Sequence, residues 1–189
     1  MRNKTHITIS PELLLIVPGV LLLIPIRYCF AWVIAACVHE LGHIIAVSLL
    51  GNRIISIRIT AGGAQIQTAS TSFLNDLICT AMGPLFGFCL LFFARVIPLI
   101  SLFAILQTAY NLLPLPNHDG EHIIHSVLNY ILPQHANQIT ASIRWICISL
   151  IFAVFFRVSK FTPGVWLLFA GLLFKTVKIP CKQRKQIVQ

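Results

Sequence analysis

The chain has 189 residues, 57% of them hydrophobic and only 10% charged, with a formal net charge of +9. Ordinary soluble domains carry about 25% charged residues, and one core of this length cannot hide so much surplus apolar surface against itself, which excludes a soluble globular protein. The positive charge carries no nucleic-acid signature, because no basic cluster comes with interleaved aromatic and polar residues; it suits membrane topology and anionic headgroups instead.

Arg2 and Lys4 precede an apolar run, Leu13 to Ile26, punctuated by Pro11, Pro18 and Pro25. The start resembles a signal peptide only in outline. No small-x-small cleavage site follows the run, and Arg27-Tyr28 leads straight into more apolar sequence. The run is therefore read as a first membrane helix, short against the ~20 residues that span a bilayer.

The second apolar segment, Tyr28 to Leu50, ends at Gly51-Asn52 and carries His39-Glu40-Leu41-Gly42-His43 in its C-terminal half. One helical turn separates His39 from His43, so both imidazoles leave one face about 6 Å apart and can share a metal ion. Glu40 sits beside that face, placed to act as general base on a water in the ion's open position. Three such residues in an apolar helix are costly to insert without a use.

Arg53 to Thr60 then alternates, Ile55, Ile57 and Ile59 against Ser56, Arg58 and Thr60, before Gly62-Gly63 and a second alternation through Gln65, Ile66 and Gln67. This predicts a β-hairpin. Its free edge, Ala64 to Thr68, is open to an extended peptide by strand addition, although a mere connector would read the same way. Phe73 to Ala94, with Gly83-Pro84 and Gly87, and Val96 to Pro116 form the third and fourth apolar segments. Small residues allow close helix packing in lipid, and Pro84 predicts a kink.

Asn111-Leu112-Leu113-Pro114-Leu115-Pro116-Asn117-His118-Asp119-Gly120 breaks the fourth segment. Two prolines cannot continue a regular helix, so the chain opens there, and Asp119 heads the helical pattern Gly120 to Leu132, where an anion is favoured. Asp119 is the candidate third metal ligand; a turn or N-cap aspartate is the plainer reading. His118, His122 and His125 read as loop and interfacial residues, and Asn111 taken alone reads equally as a bridge between helices.

Ile143 to Val158 and Phe161 to Ile179 supply two more apolar segments, with Arg144, Arg157, Lys160 and Lys175 crowding their ends and snorkelling, before a basic tail. With both termini cytosolic, ten basic residues lie inside and four outside, which fits the positive-inside rule. The six cysteines show no C-x-x-C spacing, and five of them lie in apolar runs, as small buried hydrophobes do. The expected fold is an all-α polytopic membrane protein of about six transmembrane helices, with a small β-hairpin between the second and third. It is read as one domain, 1–189, with its core at 28–133.

H-E-L-G-H on a membrane helix, a Gly-Gly hairpin, a Gly-Pro element and then N-L-L-P-x-P-x-x-D-G resemble the site-2 protease family of intramembrane zinc metalloproteases, from about Ala31 to Gly120. The spacing is similar to that of the compact six-helix subgroup, which includes the sporulation protease acting on a sigma-factor precursor. The resemblance implies one Zn²⁺ held by His39, His43 and Asp119, Glu40 as the catalytic glutamate, and Asn111 toward substrate, to which the strand-addition reading of the hairpin adds Gly62 and Gly63. It implies a multi-pass protein of a bacterial plasma membrane that cleaves a membrane-tethered protein near the cytosolic face, with no nucleic acid involved. Two departures stand out. Relatives often place an asparagine three residues after the Gly-Pro, where this chain has Gly87, and the sequence carries neither the PDZ domain of some relatives nor the CBS domain of others.

Two other functions compete. A histidine-box di-iron oxygenase would use H-E-L-G-H with H-D-G-E-H-I-I-H, but seven histidines, two of them remote, leave it short of ligands. A non-catalytic zinc carrier or scaffold has no need of Glu40.

Overall fold

The computed structural model describes residues 6–11, 18, 22–52, 54–60, 63–68 and 72–158. They form two compact units, Met1–Leu112 and Leu113–Gln189.

In the first unit, β1 (His6–Ile9) precedes α1 (Ile26–Leu49), β2 (Ile54–Thr60), β3 (Gly63–Thr68), α2 (Phe73–Cys89) and α3 (Pro98–Asn111). Proline flanks two helix starts, Pro25 just before α1 and Pro98 as the first residue of α3, where a missing N–H costs nothing. Asparagine and glycine end α1: the Leu50, Gly51 and Asn52 N–H groups bond back to Ala46, Ser48 and Val47, with Gly51 at φ 69°. The Ser72 side chain caps α2, and a 3₁₀ turn, Leu90–Phe93, follows it. The carbonyl of Leu90 accepts the Ser101 hydroxyl at 2.7 Å, tying that turn to α3.

The predicted hairpin is present as β2 and β3, antiparallel, with Thr60 opposite Gly63 and an irregularity between Ile54 and Ser56. An unpredicted strand joins it. β1 pairs parallel with β2, Ile7 against Ile57, so β2 is the middle of a three-stranded sheet and β3 an edge. β3 is also the strand that approaches α1.

The three helices pack together through narrow faces. α1 buries Ala31, Ala35, His39, Gly42, Ala46 and Val47, a stripe at helical spacing made almost entirely of small residues. α3 contributes Ser101, Ala104 and Thr108, and α2 contributes Gly83, Pro84 and Gly87. Tyr28 and Phe103 meet edge to face at 6.4 Å. Backbone approaches are close: a Cβ on Gly42 would lie 2.4 Å from the Met82 carbonyl oxygen. Large side chains such as Phe30, Leu49, Phe92 and Leu106 stand exposed on the outside, as a lipid-facing surface requires.

The second unit contains α4 (Asp119–Ile131) and α5 (Ala136–Val158). Asp119 is the first residue of α4, one residue earlier than the sequence pattern predicts. The inward stripe of α5 is Ala136, Thr140, Arg144 and Ile148. Arg144 differs from expectation. The helix begins at Ala136 rather than Ile143, so the arginine lies inside it, not at its end, and it forms an ion pair with Glu121 of α4 instead of snorkelling.

Among the described residues three helices are long and apolar enough to cross a membrane: Ile26–Leu49, Phe73–Phe93 and Ala136–Val154. The chain is a mostly helical membrane protein. The fourth predicted segment is the shorter helix Pro98–Asn111, 14 residues, because Pro114 pushes the residue before it out of helical backbone. Phe161 to Ile179, and most of Leu13 to Ile26, lie outside the described residues.

Candidate metal centre

Helix α1 presents His39 at 2% exposure and His43 half-buried, with their ring centroids 5.0 Å apart. Each ring is held by a partner from another helix. A backbone carbonyl can only accept, and the Cys79 carbonyl lies 2.8 Å from Nδ1 of His43, so that nitrogen carries a proton and, in the neutral ring, Nε2 is the atom left to ligate. An amide nitrogen can only donate, and Nδ2 of Asn111 lies 3.0 Å from Nε2 of His39, so that atom presents a lone pair too.

The two Nε2 atoms are 3.3 Å apart. With both rings neutral, two lone pairs would face each other with no proton between them. A cation between them resolves the conflict. Zn–N bonds of ~2.0–2.1 Å in a tetrahedral shell separate two ligand nitrogens by about 3.3 Å, so the pair has the spacing that zinc requires. The Cys79 carbonyl supplies the backing contact that ligating histidines characteristically have, which fixes the tautomer and the ring plane.

Helix α2 is shaped around this ring. A Cβ on Gly83 would sit 2.1 Å from Nε2 of His43, so only glycine leaves the imidazole its place. Glu40 is half-buried beside His39. The structure thus brings His39, His43 and Asn111 together within the first unit. Asp119 opens α4 in the second unit, half-buried, where the helix N-terminus favours a carboxylate. Gly63 begins β3, and Gly62 lies outside the described residues. His118, His122 and His125 do not gather with other ligating side chains into a potential metal site among the described residues; His125 instead bonds Asn137 at 3.0 Å.

No family profile and no curated protein sequence matches the chain. By structure it is similar to the site-2 protease from Methanocaldococcus jannaschii, with a TM-score of 0.65 over 94% of this chain and 92% of that one, at 19% sequence identity. The chain has the site-2 protease fold. Fold alone does not carry activity, and the chemistry rests on the residues at the site.

Within the site-2 protease fold, the departure at Gly87 has a physical account. A Cβ there would lie 2.0 Å from Oγ1 of Thr108, so the room that an asparagine would need is filled from the neighbouring helix. Thr108 is fully buried, and its hydroxyl has no hydrogen-bond partner among the described residues. Sequence reasoning missed Cys79, because it acts through its backbone, and Thr108. It singled out Gly83-Pro84 without showing that the glycine abuts a histidine.

Proposed function

We propose that the protein is an intramembrane zinc endopeptidase, hydrolysing a peptide bond of a membrane-tethered protein near the cytosolic face, as in regulated intramembrane proteolysis. The observation that carries this reading is the pair of imidazole Nε2 atoms of His39 and His43, 3.3 Å apart, with His43 backed by the Cys79 carbonyl, on an apolar helix that also carries Glu40. With Asp119 as the proposed third ligand beside His39 and His43, two imidazoles and one carboxylate would leave the open position of a hydrolytic zinc site. When bound, zinc would acidify a water molecule and polarise the scissile carbonyl.

The chain's own residues divide the remaining work. Glu40 accepts the water's proton and returns it to the departing amine, keeping the proton inside the site. Asn111, whose amide lies against His39 at the site, holds the peptide in place. A peptide bond within a helix is shielded by its own hydrogen bonds, so the substrate must unwind. Its freed backbone groups then need partners. β3, an edge strand beginning at Gly63 and lying toward α1, supplies them by strand addition. One domain, with its core at 28–133, suffices for these roles, in a multi-pass protein of a bacterial plasma membrane with both termini cytosolic.

The test co-expresses the chain with candidate membrane-tethered proteins and compares products with those of Glu40→Gln. Cleavage is expected to vanish while one zinc per chain and membrane insertion persist. Cleavage that survives the substitution would overturn the proposal. Two irons per chain would favour the oxygenase, and metal transport unaffected by Glu40→Gln would favour a carrier.

A further inference from the structure

Arg144 stands about 12 Å along a helix that is itself a candidate membrane span. It lies on the inward stripe of α5, between Thr140 at 3% exposure and Ile148 at 4%. A guanidinium in such a place is expensive and is kept for a use, with a carboxylate beside it. The carboxylate is Glu121, whose side chain is 15% exposed.

Glu121 has a second contact. Its Oε2 accepts the Asn117 N–H at 3.2 Å, and Asn117 is the one non-glycine residue with positive φ, 66°, among the described residues. Left-handed backbone is disfavoured for L residues, and asparagine tolerates it best. The turn that adopts it therefore gains from an outside hold. A single carboxylate ties α5 to the turn that ends on Asp119.

We infer that Arg144 is a positioning residue for Asp119. Acting through Glu121, it sets the turn from Asn117 to Asp119, and by engaging Glu121 it keeps that neighbouring carboxylate from competing for the ion. The inference rests on the proposed role of Asp119 as third ligand.

The test uses the full chain in detergent, reading zinc affinity by chelator competition and the visible spectrum of the cobalt-substituted protein. Arg144→Met and Glu121→Gln are each expected to weaken zinc binding at least tenfold, the usual effect of disturbing a group behind a ligand, and to alter the cobalt spectrum. Arg144→Lys, which keeps the charge, restores most of the affinity. In an Asp119→Ala background neither substitution has a further effect. The double variant Glu121→Gln, Arg144→Met removes both charges together and leaves neither unpaired, and it should melt cooperatively yet bind zinc no better than the weaker single variant. Wild-type zinc affinity and cobalt spectrum in that folded double variant would overturn the inference. A wild-type chain that binds no zinc would instead overturn the metal reading beneath it.

Discussion

Asn111 Nδ2 lies 3.0 Å from Nε2 of His39, the nitrogen that would bind the metal, although the two residues are 72 positions apart in the chain. The amide therefore competes with the ion for one lone pair. A hydrogen bond of this kind contributes about 1 kcal/mol net, so Asn111→Ala should raise zinc affinity by up to about fivefold. The same substitution should depress peptide cleavage, because the amide that would hold substrate is gone. Chelator competition and a product assay on one preparation would measure both, and a fall in zinc affinity would contradict the account.

Gly83 and Gly87 occupy successive turns of α2 and face different partners, His43 and Thr108. Alanine at 83 drives a methyl group into the imidazole, and should weaken zinc binding by an order of magnitude or more. Alanine at 87 strikes the neighbouring helix and should cost about 1–3 kcal/mol of stability through overpacking, with zinc affinity preserved. Parallel melting and metal titrations of the two variants separate the effects. Equal loss of metal binding in both would refute the division.

The Gly87 contact also predicts a rescue. The atom that the new methyl would meet is Oγ1 of Thr108, at 2.0 Å, whereas Cβ of Thr108 is 3.4 Å away. Thr108→Ala removes the first and keeps the second. The variant with both alanines should recover most of the stability lost by Gly87→Ala alone, a coupling of about 1 kcal/mol or more in a double-mutant cycle. Additive losses would mean that the two side chains do not meet.

Stripping metal from the purified protein should abolish cleavage and lower the melting temperature, since a ligand that binds only the folded state stabilises it by mass action. Zinc added back should restore both. A melting temperature indifferent to chelator and to zinc would count against metal binding at His39 and His43.

Helix α1 and the hairpin were legible in the sequence because each shows its own period, an uninterrupted apolar run and a strict alternation around glycines. β1 was not. Four residues, His6–Ile9, pair parallel with a strand far along the chain, and no local pattern announces a parallel partner. The metal pair could be read from two histidines one turn apart, but the backing of His43 could not, since a backbone carbonyl leaves no mark on residue identity. Arg144 was misplaced to a helix end because Asn137, Gln138 and Ser142 make the first turns of α5 look like loop. Packing against α4 makes that polar stretch helical.

The parallel pairing of β1 with β2 also constrains the route of the chain. Hydrogen-bonded strands share one aqueous compartment, so whichever side of a bilayer holds Ile57 holds Ile7 as well.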